Sequence, residues 1–380
     1  MKPFKIAFLF LDEIHHIYHF ITVAIELSRT QEVSILTHPK CDPLLFKSLK
    51  ELGGENVKVE KLKTSAFRAF TDKLKKRELP RKGFWIRKNQ KYILNNFDAI
   101  VFSDFFHRYF LKNRKKKWLK LLKFDHGAPG RSYSYNEKQL EFDFQLLYGE
   151  FMYEQFKKMG ILGAHPVVAG YPKHDAIAEN KKEKFFGNAH PTIIYNPHFD
   201  PEVTSWKKSG LQVLNFFYEH PEYNLIFAPH LHLFQELKGG HSVAEIGQKY
   251  FNANNILIDL GSPKSVDMSY VNSADIYLGD VSSQVYEFIH EPPRPCIFLN
   301  PNHFDYKNDI KFRFWKLGEV IENVSQLEDA LENIQQKFEK NYLEIQKKID
   351  SENFYSEPGS TASERAAKLI IAFLEKERQT

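Results

Sequence analysis

Short, uninterrupted apolar runs recur along this chain at intervals long enough to hold a helix, and no other feature of the sequence restricts its fold so tightly. Residues 6–11 (Ile6, Ala7, Phe8, Leu9, Phe10, Leu11) do not alternate with polar residues. A strand with one face in water alternates; a strand covered on both faces need not, and that is the condition of a parallel sheet. Phe20, Ile21, Ala24, Ile25 and Leu27 then recur at helical spacing, and Val33, Ile35 and Leu36 mark a second strand. Strand, loop, helix, strand is the opening of a doubly wound sheet. Residues 99–102, 123–125, 144–148 and 167–170 continue the series as strands or strand ends.

A polar stretch at 180–184 (Asn180, Lys181, Lys182, Glu183, Lys184) interrupts the pattern, which then starts again at 192–195, 225–228, 256–258, 276–278 and 296–299. With 380 residues the chain is too long for one ordinary core and comfortable for two. The expected fold is α/β: two Rossmann-like domains in a GT-B-like arrangement with an interdomain cleft. The expected boundaries are 1–180 for an acceptor-binding domain with a basic surface and 181–380 for a nucleotide-donor-binding domain. Residues 324–351 read as a long helical stretch, polar-rich and surface-like. Ser363, Glu364 and Arg365 open a last amphipathic helix to about Lys376, placed back against the N-terminal lobe. In open α/β sheets ligands bind at the carboxyl ends of the strands, so the loops after them hold the candidate residues.

Aromatic content, with 34 Phe and 18 Tyr, rules out a disordered chain. Two cysteines, Cys41 and Cys296, exclude a disulfide framework and are read as free thiols of a reducing compartment. Residues 6–11 are too short for a signal sequence, and no run approaches the roughly 18 apolar residues a bilayer span needs. A cytoplasmic protein is expected.

Net charge is only +5, but residues 58–123 hold 21 Lys or Arg against 5 Asp or Glu, leaving the remainder of the chain net acidic. The clusters are Lys73, Lys75, Lys76, Arg77 and Arg114, Lys115, Lys116, Lys117. Such a surface attracts a polyanion. Residues 110–123 interleave Leu and Trp118 with lysines, as a helix lying on anionic headgroups would. Region 73–123 is therefore expected to touch the inner face of the cell membrane peripherally; no nucleic-acid signature is present.

The strongest local signal is Ala274-Asp275-Ile276-Tyr277-Leu278-Gly279-Asp280-Val281-Ser282-Ser283, a buried strand entering a Gly-Asp-x-Ser-Ser turn and then a helix. Ser282 as N-cap would leave outward N–H groups beside the Ser282 and Ser283 hydroxyls, an anion site fit for a diphosphate. Glu287, a turn later, would accept from ribose hydroxyls. His126, following Asp125 at a strand end, suits general-base work because it titrates near neutrality. His230 and His232 follow the strand at 225–228; their spacing would suit two metal ligands, but no third ligand presents itself, and contact with phosphate is the better reading. His15 and His16, in the first loop, are acceptor-side candidates. No dinucleotide-binding fingerprint, P-loop or nucleophile elbow occurs, which disfavours the corresponding chemistries.

In order, several segments resemble the CDP-glycerol glycerophosphotransferase family of teichoic-acid primases and polymerases. They are Asp125-His126-Gly127-Ala128-Pro129, Gly170-Tyr171-Pro172-Lys173-His174-Asp175, Tyr195-Asn196-Pro197-His198, Ala228-Pro229-His230, Ala274 to Ser283, and Gly359-Ser360-Thr361-Ala362-Ser363-Glu364-Arg365. The resemblance implies transfer of a polyol phosphate from a CDP-alcohol to an acceptor hydroxyl in cell-envelope polymer synthesis, with release of CMP. It maps His126 onto the base, His230 onto a histidine near the donor phosphates, and Ser282 and Ser283 onto the diphosphate-binding serines. No cofactor or metal is implied. The acceptor would be lipid-linked or an anionic polymer. Asp125, Ala128, Ala228 and Val281 depart from the family pattern, Ala228 standing where an arginine is expected. A GT-B glycosyltransferase, an isomerase like the nucleotide-sugar 2-epimerases and a binding protein without catalysis are the alternatives.

Overall fold

The computed structural model describes residues 2–11, 14–75, 77, 79–114, 118–127, 135–177, 182–236 and 238–379. The chain divides into two compact units. The first joins residues 1–178 to 352–380; the second is 179–351.

The first unit is built on a seven-stranded sheet. Its strands are β1 (Lys5–Phe10), β2 (Glu32–Thr37), β3 (Lys58–Lys61), β4 (Ala99–Phe102), β5 (Lys120–Phe124), β6 (Phe144–Leu147) and β7 (Pro166–Val168). They stand in the order β3-β2-β1-β4-β5-β6-β7, and every neighbouring pair is parallel. The apolar run forms most of β1, an interior strand buried on both faces, with Ile6 against Val33 on one side and Ala99 on the other. Phe8 stacks on Phe20 and meets Phe124 edge-on, tying the first helix (Ile21–Ser28) to the sheet.

The second unit repeats the plan with six strands: β8 (Thr192–Asn196), β9 (Asn224–Phe227), β10 (Ile256–Ile258), β11 (Ile276–Gly279), β12 (Cys296–Leu299) and β13 (Glu319–Ile321). Their order is β10-β9-β8-β11-β12-β13, again all parallel. Numbered within the unit this is 3-2-1-4-5-6, the doubly wound nucleotide-binding order. Its core gathers Tyr195, Trp206, Phe217, Phe227, Leu278 and Leu299, among others.

The last helix, Ala362–Gln379, belongs to the first unit and packs on the helices Ile21–Ser28 and Pro172–Ile177. Two motif segments meet there. The Asp175 carboxylate accepts from the Ser363 N–H at 2.7 Å and from the Ala362 N–H at 3.3 Å, so the helix is capped by a residue nearly 190 positions upstream. The Arg365 Nε donates to the Ala169 carbonyl at 2.9 Å. Gly170 between them sits at φ +94°, and a Cβ there would come within 2.4 Å of the Tyr355 carbonyl oxygen.

One expectation is corrected. Residues 110–123 are not one amphipathic helix: a helix ends at Arg114, and 120–124 form β5 inside the sheet. Leu121 and Leu122 are buried, and Lys123 is 1% exposed, its ammonium donating to Asp125 Oδ1 at 2.6 Å and to the carbonyls of Phe124 and Ser103. Trp118 stacks on Phe4 and stays 36% exposed. Residues 324–351 are several short helices, broken at Asn333, whose φ is +54°. Residues 352–380 lie in the first unit. Lys76, Lys115, Lys116 and Lys117 lie outside the described residues, as do Ala128, Pro129, Asn180 and Lys181. Cys41 and Cys296 are free thiols, and burial pushes the Cys296 thiol up.

Candidate functional site

In each sheet the chain reverses direction of travel beside its first strand, and the loops after the first and fourth strands diverge. This is the switch point at which doubly wound sheets bind ligands. Each unit places histidines there.

In the first unit, the loop after β1 folds into a 3₁₀ turn, Ile14–His19, carrying His15, His16 and His19. Ser103 follows β4, and Asp125-His126 follow β5. His126 Nδ1 lies 2.9 Å from the Ser103 carbonyl oxygen. A carbonyl only accepts, so Nδ1 carries the hydrogen, and in the neutral ring Nε2 keeps its lone pair. His16 stacks on His126 with ring centroids 4.0 Å apart, and His15 lies 4.4 Å from His16. Burial, and then the neighbouring His126, holds His16 well below the usual histidine range. Burial and Lys173 do the same to His19. The structure therefore brings His15, His16 and His126 into one cluster and adds His19, together with Tyr171 and Lys173 of the 170–175 motif.

Asp125 does not orient His126. Its carboxylate is buried, bound by the Lys123 ammonium and by Gln139 Nε2 at 3.1 Å. The Tyr148 hydroxyl donates to its carbonyl. Neighbouring residues at a strand end point apart, and here the acid anchors the strand while the histidine faces the loops.

In the second unit, the loops after β8, β9 and β11 carry His198, then His230 and His232, then Asp280, Ser282 and Ser283. Asp280 is 1% exposed, and burial raises its pKa. Its carboxylate accepts from the backbone N–H groups of His198 (2.9 Å), Ser205 (2.6 Å) and Val281 (2.5 Å). Trp315 Nε1 donates to the Asp280 carbonyl at 2.8 Å. Asp280 thus fixes the β8 loop against the β11 turn. Glu287 is also buried, within the six-residue helix Gln284–Ile289. The N-cap is Ser283 and not Ser282; the Ser282 Oγ accepts from the Gln284 N–H at 3.3 Å.

The two flanking imidazoles have the opposite tautomer from His126. His198 Nδ1 accepts the Asp200 N–H at 3.1 Å, and His230 Nδ1 accepts the His232 N–H at 3.2 Å. A backbone N–H only donates, so in each neutral ring the hydrogen sits on Nε2. The rings are 5.3 Å apart, with Phe199 packed on both. His232 Nε2 lies 2.7 Å from the Lys238 ammonium. Ala228 is buried and carries no charge toward the group. His198 is the residue that sequence reasoning passed over: it was visible only as the end of a strand motif, with nothing in its spacing to join it to His230. Among the described residues no three His, Cys, Asp or Glu stand together to hold a metal ion.

The sequence model of the CDP-glycerol:poly(glycerophosphate) glycerophosphotransferase family matches residues 55–372. The chain belongs to that family. Membership makes it a transferase, and the match spans both units. A comparison with curated proteins gives no match. The fold is similar to UDP-GlcNAc 2-epimerase from Neisseria meningitidis bound to UDP-GlcNAc, at 13% identity and TM-score 0.60, over 99% of this chain and 100% of that one. It is similar also to Glycyrrhiza uralensis UGT73P12 complexed with glycyrrhetinic acid 3-O-monoglucuronide (11% identity, TM-score 0.64, 100% and 97% covered). A third likeness is CalG4, the calicheamicin glycosyltransferase (13%, 0.54, 99% and 99%). These likenesses establish a fold of the GT-B kind. Among the described residues no helix is long and apolar enough to cross a membrane.

Proposed function

We propose that this glycerophosphotransferase-family protein moves a polyol phosphate, glycerol phosphate or a close analogue, from a CDP-alcohol to an acceptor hydroxyl. The observation that carries the reading, beyond family membership, is the pair of opposite tautomers at the two switch points. His126 Nε2 takes the proton of the acceptor hydroxyl as its oxygen attacks the β-phosphorus. The bond from that phosphorus to the bridging oxygen breaks, and CMP leaves. His198 and His230 offer Nε2–H donors to the diphosphate, and the Ser282 and Ser283 hydroxyls are further donors. Transfer of this type needs positioning and charge neutralisation more than covalent chemistry. His15 and His16 line the acceptor side.

The acceptor is a lipid-linked or anionic polymeric alcohol of envelope polymer synthesis, drawn by the excess of basic residues in 58–123, with peripheral contact at the inner membrane face through 73–123. The test is phosphorus NMR of the protein with CDP-glycerol, CDP-ribitol and nucleotide sugars in the presence of lipid-linked acceptors. CMP release supports the reading; release of a nucleoside diphosphate replaces it with glycosyl transfer.

A further inference from the structure

The helix Ala66–Leu74 is amphipathic and faces the wrong way for a globular surface. Of its polar residues Asp72 is buried and Arg68 and Thr71 are half-buried. Asp72 is 7% exposed and held by Arg81, whose Nε lies 2.7 Å from Oδ1 and whose Nη2 lies 2.7 Å from Thr71 Oγ1. Its apolar residues point out: Phe67, Phe70 and Leu74 are 65%, 60% and 67% exposed. Their i, i+3, i+7 spacing puts them on a single stripe. A surface helix ordinarily buries such a stripe. The three form the most exposed group of large apolar side chains among the described residues.

Charge says what covers the stripe. Lys63, Lys73, Lys75 and Arg77 are exposed along and beyond it. Residues 61–91 hold twelve Lys or Arg against two acidic residues, and Asp72, one of those two, is already paired. Two copies of so basic a face repel each other, which disfavours self-association. Aromatic and aliphatic side chains between basic ones fit the boundary between acyl chains and anionic headgroups.

We infer that the helix Ala66–Leu74 is an interfacial anchor that seats Phe67, Phe70 and Leu74 in an anionic lipid surface. This sharpens the membrane contact in the reading above, on which it rests, to one element at the N-terminal edge of region 73–123. Vesicle binding is measured without any transfer substrate, so its outcome is separate from that of the phosphorus assay. Full-length protein is sedimented with phosphatidylcholine vesicles, with and without phosphatidylglycerol. Binding is expected only to the anionic vesicles, weakening as salt rises. Phe67→Ser with Phe70→Ser should weaken it by more than about tenfold at unchanged Tm. Leu211→Ser, at an exposed apolar residue of the second unit, should leave it unchanged. Absence of anionic binding, or equal binding by the double variant, overturns the inference. So does a dimer in the ultracentrifuge that the double variant dissociates, which would assign the stripe to a second copy.

Discussion

The imidazole of His16 lies on that of His126, their centroids 4.0 Å apart and their planes 29° from parallel. One ring is buried and kept neutral; the other is pinned through Nδ1 to a backbone carbonyl. A neutral neighbour adds no charge to oppose proton uptake at His126, and its face restricts the ring's rotation.

His126→Ala should lower the rate of CMP formation by about 10²- to 10⁴-fold, the usual worth of a general base. Binding of the CDP-alcohol, followed by calorimetry, should stay within a few-fold. His16→Ala removes a stack worth about 0.5–1.5 kcal/mol and should cost up to about tenfold in rate, while His16→Phe keeps most of it. Equal rates in His126→Ala and the parent protein would remove His126 from the chemistry.

Acidification should destabilise the fold. His16 and His19 are held below the usual range chiefly by burial, and His107 is pushed down to about 4 by burial against the pull of Glu141. Below about pH 6.5 the unfolded chain takes up protons that the native chain refuses. Stability is therefore complete above that pH and falls as pH drops toward 4, by at most about 1.4 kcal/mol per pH unit for each such histidine. Scanning calorimetry from pH 8 to 5 checks this, and His16→Phe should flatten the slope.

Asp280→Ala should destabilise the second unit by about 2–4 kcal/mol, since it strands the buried N–H groups of His198 and Ser205 and that of Val281. Asp280→Asn retains an acceptor and should lose less. Denaturant titration separates the two.

Asp175→Ala should cost about 1–2 kcal/mol by uncapping the last helix. Gly170→Ala strains a positive φ and presses on the Tyr355 carbonyl, and should loosen the same region. Hydrogen exchange in residues 362–379 should quicken in both variants; an unchanged pattern would show that the cap is dispensable.

The buried strands were legible because a parallel strand has no face to leave polar: β1, β4, β8, β11 and β12 all read as apolar runs. The edge strands β3, with the sequence Lys-Val-Glu-Lys, and β13 were not, because one side of an edge meets water. β5 misled through its lysines, since a buried Lys123 satisfied by three oxygens looks in sequence like the polar face of a helix. His126 and His230 were legible from strand ends. His198 was not, because its place beside His230 depends on β8 and β9 being neighbours. The segments at 170–175 and 359–365 drew notice as motifs, yet much of their polar chemistry is spent on each other.

Because the first unit is completed by residues 352–380, its two parts leave the ribosome on either side of the second unit. The whole second unit emerges before the helix that closes the first. Until then the helices Ile21–Ser28 and Pro172–Ile177 wait with an open seam, and a nascent chain stopped ahead of residue 362 would carry one finished domain and one unfinished one.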